Sequence, residues 1–130
     1  MNKSDIRKQA KEIKPEDAAT VVKRRGEIKR KACRGPLKKM MGDITLLVAL
    51  IIDYWYGKYN RVPWWTISAI LLALLWILNP LDLVPDAIPL LGLLDDAAVV
   101  SLVMAMTDQD LADYRVWQQA RRAEQKRRKR

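Results

Sequence analysis

Asn79, Asp82, Asp86, Asp95 and Asp96 are the side chains whose types and spacing could do chemistry. Oxygen ligands of this kind suit Mg²⁺, Ca²⁺ or Mn²⁺. Four carboxylates on one short stretch repel each other unless a cation sits among them. Pro80, Pro85 and Pro89 forbid a continuous helix there, and Gly92 allows one more sharp bend, so the acids stand on a broken loop. The preferred reading is structural. Asp82 and Asp86 close Asx-type turns, and Asp95 and Asp96 cap the helix that follows. Metal binding is the alternative and catalysis stands third. A two-carboxylate glycosidase is not supported, since nothing in the spacing builds a cleft. No cofactor is expected unless this loop takes Mg²⁺ or Mn²⁺.

Composition closes off other chemistries. The 130 residues include no histidine and one cysteine. Ser-His-Asp triads, Cys-His pairs, His-ligated metals, internal disulfides and four-cysteine sites are therefore excluded. Acid–base work would fall to Asp, Glu, Lys or Tyr. No enzyme activity is expected.

The charge is segregated along the chain. Residues 1–42 carry 14 Lys/Arg against 5 Asp/Glu, residues 43–114 carry 2 against 9, and residues 115–130 carry 8 against 1. An acidic, apolar centre thus lies between two basic arms, which calls for an anionic partner. All nine acids of the centre are aspartates. Glutamate is the better helix former, so short aspartates point to fixed positions in caps or ligation. The organisation expected is a basic arm (1–42), a helical hairpin domain (43–107) and a basic helix (108–130).

The elements that must position the loop read as helices. No apolar run follows the first lysines, so no cleavable signal peptide is expected. Pro15 with Glu16 and Asp17 opens a helix that Gly35-Pro36 ends. A second helix is expected over 37–59; its apolar stretch, 44–52, is too short to span a bilayer. Residues 62–81 carry no charge. Pro63 suits a first helical turn and Asn79-Pro80 a stop, giving a helix over about 63–79. Its apolar rod of about 22 Å is marginal against a hydrocarbon layer of about 30 Å. Trp64, Trp65 and Trp76 suit an interfacial belt. A helix apolar on every face needs protein on every side, and this chain offers little, so a membrane setting is preferred over a bundle core. A partner helix follows over 93–107. Thr107 to Asp110 resembles a capping box that opens the last helix. The fold expected is all-α: a short hydrophobic hairpin joined by the Pro/Asp-rich loop, a preceding helix and basic helical arms.

Residues 53–106 resemble the YkvA-like family of small bacterial domains of unknown function. The resemblance rests on Pro63-Trp64, Ala73 to Asp86 through the Asn79-Pro80 step, Ile88-Pro89, Gly92 and Asp95-Asp96. Trp76 stands where the family has another aromatic, Leu81 and Val84 replace isoleucines, and Ala87 replaces a phenylalanine. The resemblance implies a membrane-associated helical hairpin without an established enzyme activity. It does not extend to the arms.

Lys23, Arg24, Arg25, Lys29, Arg30 and Lys31, with Lys126, Arg127 and Arg128, suit anionic headgroups at about 1 kcal/mol per charge. They also suit nucleic-acid phosphates, but no groove-reading fold or stacking aromatics accompany them, so nucleic acid is not the expected partner. The expectation is a non-enzymatic binding or scaffolding protein of the bacterial inner membrane, both termini cytoplasmic. Its partners would be the lipid bilayer, a second copy or a partner membrane protein. The alternatives are a divalent-metal membrane enzyme using the Asp loop and a soluble helical nucleic-acid-binding protein.

Overall fold

The computed structural model describes residues 3–78 and 96–129, apart from the side chains of Pro36 and Asp96. Every regular element among them is helical: α1 (Lys3–Ala10), α2 (Pro15–Lys23), α3 (Arg25–Ala32), a 3-10 segment (Gly35–Met40), α4 (Met41–Trp55), α5 (Trp64–Leu78), α6 (Asp96–Met106) and α7 (Asp108–Arg128). The all-α class read from the sequence is what the chain adopts.

The punctuation works locally as expected. Pro15 occupies the first turn of α2, and the Asp17 carboxylate accepts the Lys14 N–H at 2.7 Å. Gly57, at φ +72°, takes the left-handed conformation just past the end of α4, which halts that helix at Trp55 rather than at Tyr59. The helix expected from Pro15 to Gly35 is broken at Arg24. Three β-branched residues, Thr20 to Val22, and Gly26 weaken helix propensity on either side of that break.

α5 occupies the centre. Thirteen consecutive residues, from Thr66 to Leu78, are buried. Its wall is the chain itself: α1, α2, α3, α4 and α6 all pack against it. Ile6, Val21, Ile28, Ala32, Ile44, Leu47 and Ile51 belong to the same core. This corrects the expectation of a membrane rod. The protein needed on every side is supplied largely by residues 3–40, where each short helix contributes only two or three apolar side chains. No helix among the described residues is long and apolar enough to cross a membrane, so the transmembrane helix expected from the sequence is not found there.

α5 and α6 pack against each other, as the hairpin reading requires. The loop that joins them is another matter. Asn79, Pro80, Asp82, Pro85, Asp86, Pro89, Gly92 and Asp95 lie outside the described residues, as does the side chain of Asp96. Trp76, in the last turns of α5, is 2 % exposed, and its indole N–H has no acceptor among the described residues.

Candidate functional site

The ends of α4 and α5 that meet through residues 56–63 gather the exposed aromatic surface. Trp55 and Tyr56 stand at the C-terminal end of α4, and Trp64 and Trp65 open α5; the two α5 tryptophans are 40 % and 46 % exposed. Pro63 forces this placement, because a proline-started helix puts the next two residues in its first turn, outside the packed length of the rod.

A groove of about 450 Å³ runs from these tryptophans between α1 and α5. Arg7 lies on α1 and Lys11, four residues on, just past its end, while Trp64 and Trp65 stand four residues before Ser68 and Ala69 on α5 and so share their faces. The floor is made by Ile6, Ala10, Ser68 and Ala69, all buried, three of them small. Arg7 and Lys11 form one exposed rim and the two tryptophans the other, with Met106 also lining the space. The Ser68 hydroxyl donates to carbonyls of its own helix, at 2.7 Å to Trp64 and 3.2 Å to Trp65. The floor therefore keeps no free donor for a polar guest. Neither Arg7 nor Lys11 forms an ion pair among the described residues.

Next to this end, a polar network docks α7. The Tyr114 hydroxyl donates to Asp53 at 2.5 Å and accepts from the Gln118 amide at 3.1 Å. Arg121 reaches the same carboxylate at 3.7 Å and lies over the Trp117 ring at 5.2 Å. Tyr59 packs edge-on to Tyr114, with ring centroids 5.0 Å apart. Burial first, and then the bond to Asp53, pushes the Tyr114 phenol far above its usual range; burial and Asp113 raise Tyr59. Thr66 donates to Asp110 at 2.5 Å, tying α5 to α7. The capping box expected at Thr107 does not form. Thr107 donates back to Val103 at 2.7 Å, and Asp110 is taken by Thr66 instead.

Of the basic residues singled out in the sequence, Lys23, Arg25, Lys29, Arg30, Lys31, Lys126, Arg127 and Arg128 are exposed, with Arg25 donating to the Val22 carbonyl at 2.6 Å and Arg128 paired with Glu124 at 3.4 Å. Arg24 pairs with Glu27 at 2.7 Å, and this guanidinium holds the Glu27 carboxyl below its usual range. Lys31 donates to the Leu78 carbonyl, where the negative pole of α5 favours a cation. Sequence reasoning missed the α1 rim. Its signal was the apolar spacing of Ile6, Ala10 and Ile13 inside a basic stretch. No group of three or more Cys, Asp or Glu able to hold a metal occurs among the described residues. Asp82, Asp86 and Asp95, the aspartates read as candidate ligands, lie outside them, as does the side chain of Asp96.

A central apolar helix paired with α6 and wrapped by basic helices defines a small all-α domain. Residues 66–102 match the family described as "Protein of unknown function (DUF1232)". The chain is also 36% identical over 80 residues to the "Uncharacterized membrane protein YkvA" of Bacillus subtilis (strain 168), a match covering 62% of this chain and 76% of that protein. It belongs to the YkvA-like, DUF1232 family. No solved structure matches it.

Proposed function

We propose that this protein is a non-enzymatic binding module that docks on the surface of an anionic membrane, the cytoplasmic leaflet of the bacterial inner membrane, with both termini on that side. The observation that carries this reading is the exposed aromatic end, Trp55, Tyr56, Trp64 and Trp65, on a chain of net charge +9. Aromatic side chains with a polar edge settle at the headgroup level. Lysines and arginines add about 1 kcal/mol each near an anionic leaflet. Membrane association of the Bacillus relative, by its name, agrees with it. Because α5 is sheathed by protein, this reading puts the contact on the surface of the bundle and not on α5.

The test is flotation of the full chain with vesicles of phosphatidylcholine, with and without phosphatidylglycerol. Binding is expected only with phosphatidylglycerol, falling as salt rises. The Trp64→Ser, Trp65→Ser double variant is expected to weaken it. A chain that stays at the bottom of the gradient with both vesicles refutes the reading.

A further inference from the structure

We infer that the groove between α1 and α5 holds one acyl chain of an anionic phospholipid, with Arg7 and Lys11 on its headgroup. This deepens the membrane-surface reading and rests on it. The floor fits an apolar guest: Ala10, Ser68 and Ala69 keep it deep by being small, Ile6 is apolar, and Ser68 spends its proton on its own helix. The volume, about 450 Å³, lies in the range of pockets that enclose small ligands, about 300–1,000 Å³. The rims fix the orientation. Two cations with no ion pair among the described residues line one side, and two half-exposed tryptophans line the other. An apolar chain lying along the floor therefore ends where positive charge and indole edges meet. That is the chemistry of an anionic lipid at an interface. An amphipathic peptide or a second copy of this chain would compete for the same apolar floor, and the masses read in the test tell them apart from a lipid.

The test is native mass spectrometry of the full chain with phosphatidylglycerol and, separately, phosphatidylcholine. A one-to-one adduct is expected with phosphatidylglycerol and at least about tenfold less with phosphatidylcholine. Ala10→Leu fills the floor and is expected to cut the adduct by about tenfold or more. Its fold is checked by circular dichroism. Should it fail to fold, the exposed pair Arg7→Ala, Lys11→Ala supplies the same readout. Wild-type flotation on phosphatidylglycerol vesicles without any one-to-one adduct overturns the groove while leaving the surface reading standing. Failure of flotation itself overturns the surface reading first. An adduct undiminished in the folded variants, or a two-chain mass that Ala10→Leu abolishes, also overturns the lipid assignment.

Discussion

Ile28 tests whether residues 3–40 are wall or tail. Its side chain is fully buried on α3, which packs on both α4 and α5. Ile28→Ala removes three carbons. Transfer alone accounts for about 2.4 kcal/mol at about 0.8 kcal/mol per buried carbon. Because α3 is held between two other helices, the site closes only in part, and a cavity cost adds to this. The expected loss is about 3 kcal/mol, within the range of about 2–5 kcal/mol for such changes. For a small domain of stability about 5–15 kcal/mol that is a large fraction. Urea unfolding of the full chain, followed by tryptophan emission, reads it directly; Trp76 is buried in the helix that Ile28 covers. Lys29→Ala, at the exposed neighbour, is the control and is expected to stay within about 0.5 kcal/mol of wild type. A midpoint for Ile28→Ala that matches the control would refute the enclosed α5 and restore a basic arm with no structural role.

Tyr114→Phe removes the hydroxyl between Asp53 and Gln118; with the Asp53 side chain only 19% exposed, the expected loss is about 1–2 kcal/mol in the same urea assay, and Gln118→Ala is expected to cost less. The raised Tyr114 phenol sets an alkaline dependence: its contribution is complete below about pH 10 and is lost as the pH climbs further, because the unfolded phenol ionises first. Melts above that pH should therefore fall faster for wild type than for Tyr114→Phe, and parallel curves would contradict the sign. Lys31→Met removes the cation from the C-terminal end of α5 and is expected to cost about 0.3–1 kcal/mol, measured as a small drop in melting temperature.

The helix boundaries were legible where a single residue dictates them. Pro63 set the start of α5 and Pro15 that of α2, since a proline ring fixes φ wherever it stands. The described part of α5 runs to Leu78, and the stop expected at Asn79-Pro80 lies outside the described residues. The enclosure of α5 was not legible. It is a sum over α1, α2 and α3, each nearly polar by composition, and only their convergence makes a wall. The role of Asp53 was half legible. A short carboxylate called for a partner, but Tyr114 stands 61 residues away, and nothing local names it. Thr107 misled for the opposite reason. The local pattern of a cap was present, while Thr66, 44 residues from Asp110, captured the carboxylate the cap needed. The tryptophan rim of the groove was visible in the sequence and the α1 rim was not, because pairing residues 7 and 11 with 64 and 65 is a tertiary fact.

The order of the helices along the chain has a consequence for synthesis. An apolar helix such as α5 is the most dangerous segment to expose to the cell, since it invites aggregation before its partners arrive. Among the described residues, four of the five helices that pack on it, α1 to α4, are made first. At about 5–20 residues per second they have several seconds to emerge and form before α5 begins. α6 follows, as does α7, which Thr66 ties to α5. The nascent chain thus has most of its sheath ready when the hazard appears. A circular permutant that began at α5 would contain the same helices, yet it would leave the ribosome with its stickiest segment first and unaccompanied.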